Sequence, residues 1–157
     1  MALSPSTFWA VSTMGSGSCS RVPIKSKRFL EDMEMTAKGS FEVNLTPQAD
    51  TESPAGRMVI DKVYLGDIRG SGIGQMISKR TESGAAVYFA IEEFSGSIKA
   101  RSGTFTLIHK GYMSREFQSL EVVILEGSGT GQFENISGSM VIAQDADGHT
   151  YELTYEL

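Results

Sequence analysis

The 157-residue chain is 40% hydrophobic and 21% charged, the composition of a soluble globular protein long enough for one domain with a sizeable core. Its net charge of −5 argues against general nucleic-acid binding, which needs a basic face, and its single cysteine, Cys19, excludes an internal disulfide framework and any cysteine metal cluster. No apolar run approaches the roughly 20 residues that span a bilayer, so a cytoplasmic protein with neither membrane nor nucleic acid as partner is expected.

Residues 1–32 differ in character from the rest of the chain. Four basic residues (Arg21, Lys25, Lys27, Arg28) and no acid fall within the first 28 positions, whereas the chain from Met33 onward holds ten basic and seventeen acidic residues. The Lys and Arg come after the apolar "FWAV", the reverse of a secretory signal, and "GSGSC" has no apolar residue ahead of it to mark a lipid-attachment site. An N-terminal extension without stable structure is expected over 1–32, or an early start codon with Met33 or Met35 as the physiological start, and a single domain over 33–157.

From Met33 the dominant pattern is alternation with period two, the mark of strands whose two faces meet different surroundings. "GSFEVNL" sets Phe41, Val43 and Leu45 on one side, and "RMVIDKVYLGDI", "GIGQMISKR" and "AAVYFAIEEFSGSI" supply three more strands. "GTFTLIHKGYM" puts Phe105, Leu107 and His109 on a common face, and "SLEVVILEG", "ISGSMVIAQ" and "TYELTYEL" bring the count to eight. Turn formers separate them at "TESG", "KARSG", "SREFQ", "EGSGTG" and "DADGH", and no proline follows Pro54 to interrupt a ladder. Short connections between successive strands predict an all-β fold, an eight-stranded antiparallel closed barrel that leaves no exposed edge, with a β-sandwich as the alternative.

Two glycine-rich stretches echo one another, "GSGIGQM" at 70–76 and "GSGTGQF" at 127–133. A dinucleotide or phosphate loop would lead into a helix or carry a Lys-Ser/Thr pair, and neither stretch does, so no nucleotide cofactor is expected. Both are read as bends in a barrel wall, where glycine reaches backbone angles closed to other residues. An internal duplication would also produce the echo, but the flanks "YLGDIR" and "VVILE" share only strand character.

Candidate chemistry is sparse. His109 and His149 lie far apart with no paired ligand spacing, so no metal is expected, and no Gly-x-Ser-x-Gly elbow marks a nucleophile. Asn44 and Asn135 stand in Asn-x-Ser/Thr triplets that mean little without a secretory signal. Glu92 and Glu93 are adjacent, so one carboxylate points inward whichever face the strand buries; Glu92 and His109 are the catalytic candidates, as acid/base and assistant. Arg101 is a candidate partner for the carboxylate, and Tyr64, Gln75 and Tyr88 are candidates to hydrogen-bond a ligand. For each of these residues the bland role, a solvated outer face or a structural pair, competes with the functional one.

The run from "TAKGSFEVNL" through "KVYLGDIRGSG", "AVYFAIEEFSGSI", "RSGTFTLIHKG" and "GSGTGQFENISG" to "YELTYEL" resembles a bacterial family known as domain of unknown function number 3224. The resemblance implies a barrel similar to that of plant allene oxide cyclases, and a start near Met33. It brings no activity, because the family has none assigned and likeness of fold does not transfer function. The functional expectation is a barrel that binds a small apolar or amphipathic ligand; the alternatives are an isomerase or cyclase using a lumen carboxylate, and a packed barrel that serves as a homo-oligomeric interaction module.

Overall fold

In the computed structural model, which describes residues 33–49 and 52–157, eight antiparallel strands close in sequence order into a barrel. The strands are β1 (Met35–Gln48), β2 (Gly56–Gly66), β3 (Ile68–Arg80), β4 (Ala86–Ile98), β5 (Arg101–Met113), β6 (Gln118–Ile124), β7 (Ser137–Asp145) and β8 (Gly148–Glu156). The expected extension over 1–32 lies outside the described residues. No helix among them is long and apolar enough to cross a membrane.

Closure turns the alternation of each strand into an inside and an outside. Ile60, Lys62 and Tyr64 of β2, Ala90, Glu92 and Phe94 of β4, and Phe105, Leu107 and His109 of β5 are buried. The intervening Ile73, Ile77, Phe89 and Ile91 stand about half exposed on the outer wall. β1 completes the ring by pairing with β8 in a register that sets Phe41 opposite His149.

The lumen is filled unequally. At one end Tyr64, Phe94, Phe105, Leu107, Tyr151 and Leu153 form a dense, largely aromatic core. Phe94 meets Phe105 at 4.7 Å, Tyr64 meets Phe94 edge-on at 5.6 Å, and Tyr151 meets Tyr64 at 5.6 Å. The Tyr151 hydroxyl is anchored at the β2–β3 turn, where it accepts from the Ile68 N–H (2.9 Å) and donates to the Leu65 carbonyl (3.0 Å).

The stretch "GSGTGQF" departs from the expected bend in a strand. β6 stops at Ile124, leaving the first half of β5 without a strand neighbour on that side, and the connection 125–136 covers the open edge instead. Thr106 N–H donates to Ser128 Oγ (3.0 Å), Ser102 N–H to Gln132 Oε1 (2.8 Å), and Thr130 N–H to the Thr104 carbonyl (2.9 Å). Gly127 (φ 74°) and Gly131 (φ 61°) take left-handed angles that let the chain double back into a 3-10 turn at Gly131–Phe133. That turn drives Phe133 into the end of the barrel, where it is wholly buried edge-on to Phe105. The echo at 70–76 lies within β3, as expected.

Candidate functional site

Above the aromatic core the lumen opens into a cavity of about 1060 Å³ that reaches solvent at the opposite end of the barrel. The volume is that of a site for a drug-sized molecule. Its walls are apolar, with Phe41, Val43, Ile60, Met76, Ala90 and Ile142 among them, and its mouth carries Lys79, Arg80, Gln118 and Gln144. Lys62 and His109 line the cavity next to the core, and they are joined through Glu92.

Glu92 is 0% exposed and accepts three hydrogen bonds. Oε2 takes both Lys62 Nζ (2.7 Å) and His109 Nε2 (2.9 Å), while Oε1 takes the Tyr64 hydroxyl (2.6 Å). Register explains the meeting of three strands. Glu92 sits opposite Gly74 on β3, Lys62 sits opposite Gly72, and His109 sits opposite Ala90 on the neighbouring turn of the pleat. The carboxylate crosses β3 only because Gly72 has no side chain; a Cβ there would collide with Glu92 Oε1. The glycines of "GSGIGQM" therefore do more than bend the wall: they clear a channel in which the carboxylate reaches β2.

Burial alone pushes the Glu92 carboxyl up, but the hydrogen bond from His109, the charge and hydrogen bond of Lys62, and the Tyr64 hydroxyl together pull it down to about 2. Burial, followed by the negative charge of Glu92, raises the Tyr64 phenol, so this hydroxyl remains a donor. Lys62 adds a contact of its own, lying 4.6 Å from the centroid of the Phe41 ring, on which His149 stacks at 5.0 Å.

This arrangement has a signed pH consequence. A carboxyl at about 2 when folded and at its ordinary 4.5 when unfolded stabilises the fold fully above pH 4.5, and loses that contribution as the pH falls toward 2. The Glu92 contribution is on the order of 3 kcal/mol. Urea denaturation at steps across this range should show the corresponding loss; stability unchanged over it would contradict the geometry.

The structure brings Tyr64, Glu92 and His109 together, as a hydrogen-bonded group. Tyr88 lines the cavity wall, half buried, with its ring laid over Gly111 of β5. Gln75 and Arg101 are not part of the group. Gln75 is exposed on the outer wall, opposite Val59 and Ile91, because Gly74 and Met76 take the inward positions of β3. Arg101 opens β5 beside the β4–β5 turn, six residues from Leu107, which faces Glu92 across the ladder. That is roughly 20 Å along a strand, so the partner of the carboxylate is Lys62 and not Arg101. Lys62 itself escaped the sequence reading, although its position between Ile60 and Tyr64 places it on the buried row of β2. Among the described residues no three His, Cys, Asp or Glu side chains converge as metal ligands.

Two of the hydrogen-bonded groups, Lys62 and His109, reach the cavity. Glu92, fully hydrogen-bonded and strongly acidic, is a poor proton acceptor, and it fixes the other two. Because an ionised carboxylate only accepts, His109 Nε2 carries the proton, and the lone pair of the neutral ring is at Nδ1. No protein group among the described residues hydrogen-bonds this nitrogen, and His109 is one of the residues that line the cavity.

Comparison with known proteins places these features in a family setting. A family model described as a protein of unknown function, DUF3224, matches residues 37–155. The crystal structure of a protein of unknown function from the DUF3224 family of Shewanella oneidensis MR-1 is similar at a TM-score of 0.73 and 31% identity, over 78% of this chain and 96% of that one. No curated protein matches.

Proposed function

As the chain belongs to the DUF3224 family, whose description assigns no activity, we propose a function from the site itself: the barrel binds a small amphipathic molecule, apolar along its body and bearing an oxygen acceptor at its inner end. The observation that carries this reading is the placement of Lys62 and His109, 7% and 4% exposed, at the inner limit of a cavity whose walls are mainly apolar below a polar mouth. Apolar walls supply affinity in proportion to the surface they cover, whereas a buried charged donor selects a ligand atom able to accept from it. Lys62 gives one of its three N–H groups to Glu92 and presents the ammonium head to the lumen, beneath the face of Phe41. The alternative of a packed interaction barrel finds no support in a lumen that stands open over its upper half. The likeness to allene oxide cyclases concerns fold and does not name the ligand.

The reading is tested by displacement of 1-anilinonaphthalene-8-sulfonate from the barrel by decan-2-one and by decanoic acid. Both should compete in the wild type, and Lys62→Met, which keeps length and apolar bulk, should weaken both by roughly tenfold to a hundredfold, as expected for loss of a hydrogen bond from a charged donor. Absence of competition up to the solubility limit, or equal competition in the variant, would sink the proposal.

A further inference from the structure

Resting on that reading of the cavity, we propose that its inner end is a proton-transfer site for carbonyl compounds: His109 Nδ1 takes and returns a proton on the carbon next to the carbonyl, while Lys62 donates to the carbonyl oxygen. The geometry supplies the parts such a reaction needs and few that it does not. One carboxylate oxygen, Glu92 Oε2, holds the base and the electrophile together, with His109 Nε2 at 2.9 Å and Lys62 Nζ at 2.7 Å. Each is thereby oriented by the atom that the other also uses, which fixes their spacing before any ligand arrives.

Glu92 acts as the positioning residue. Its bond to Nε2–H selects the tautomer with the lone pair at Nδ1 and holds the ring in place. Lys62 retains N–H groups for which no protein acceptor is found among the described residues, so an oxygen that gains charge in the reaction has a cationic donor beside it. The core behind the site excludes water on that side, and a ligand filling the cavity would displace it from the other. Tyr64 is tied to Glu92 by its hydroxyl, and the second imidazole lining the cavity, His149, is stacked on Phe41 at 5.0 Å, away from the shared carboxylate.

The step balances without a cofactor. Nδ1 removes the α-proton, the electron pair of that C–H bond becomes a C=C bond, and the carbonyl π pair moves to oxygen to form an enolate held by the Lys62 N–H. Return of the proton to the same carbon regenerates the ketone. Its return to the far carbon of an adjoining double bond shifts that double bond, so β,γ-unsaturated carbonyl compounds are the class on which turnover would leave a product.

Deuterium incorporation at the α-carbons of decan-2-one, followed by proton NMR in D₂O, tests this directly. The wild-type protein should exchange the bound ketone at least about a hundredfold faster than imidazole buffer at equal concentration. His109→Gln, which keeps an amide N–H for Glu92 but has no base, should still let the ketone displace the dye and should exchange at the buffer rate. Lys62→Met should lower exchange per bound ketone as well as binding, and it reports on the mechanism independently should the Gln variant misfold. A wild-type barrel that binds decan-2-one but exchanges it no faster than buffer overturns the inference and leaves the binding reading intact. Equal exchange in His109→Gln and wild type also overturns it, and a ketone that never displaces the dye overturns both.

Discussion

Glu92→Gln is expected to lower folding stability by about 3 kcal/mol, and the melting temperature by roughly 10 °C, although the amide is nearly isosteric with the carboxylate. Hydrogen bonding alone would not produce this. A Gln side chain can turn its oxygen to Lys62 and His109 and offer its N–H₂ to the Tyr64 hydroxyl, so each of the three contacts has a permissible replacement. What disappears is charge. Lys62, 7% exposed, is left without a counter-ion in surroundings that burial has made poorly solvating. The same variant should flatten the acid dependence between pH 4.5 and about 2, because the group responsible no longer titrates. Thermal and urea denaturation of both proteins at neutral and acidic pH checks both effects. A variant as stable as the wild type at neutral pH would show that the cavity solvates Lys62 well enough to need no partner.

A comparable loss, about 3–5 kcal/mol, is expected for Phe133→Ala, far from the charged group. Phe133 is 0% exposed, projects from a single 3-10 turn, and meets the edge of Phe105 at 5.6 Å. Truncation removes the ring from a rigid aromatic neighbourhood that cannot collapse far, because Phe105 is itself locked against Phe94. It also frees the connection 125–136 from its main apolar anchor, leaving polar links such as Ser128 to Thr106 and Gln132 to Ser102 to hold the edge of β5. Guanidinium denaturation measures the loss, and hydrogen exchange should show earlier opening of the first half of β5. A loss below about 1 kcal/mol would mean that this connection lies on the barrel without closing it.

The eight strands, their order and most of their limits were legible because period-two alternation is a local property, and because turn formers fall between the strands. Parity was not. Glu92 and Glu93 are equivalent until closure of the sheet decides which row is inside, and that decision is shared among all the strands. Gln75 shows the trap: its neighbours Ile73 and Ile77 are apolar yet lie on the outer wall, while half of the inner row of β3 is glycine. Applying the same parity to β2 would have revealed Lys62, an ammonium in register with Ile60 and Tyr64. The two glycine stretches look alike locally and diverge for a distant reason. One is flanked by β2 and β4 along its length, whereas the other follows a strand, β6, whose ladder to β7 is reduced to Val123 opposite Ser139. The role of Gly72 was hidden for a similar reason, since an absent side chain acquires meaning only from the carboxylate that fills its place.

The aromatic stopper has a kinetic consequence. With one end plugged, a bound molecule must leave through the same doorway by which it arrived, and no successor can push it onward. For the amphipathic ligand proposed above, only head-first insertion would bring its acceptor to Lys62, with the tail toward Lys79 and Arg80 at the rim. Release of such a ligand would then be paced by how quickly one occupant backs out, so substitutions at the rim should change residence time while leaving the inner end of the cavity untouched.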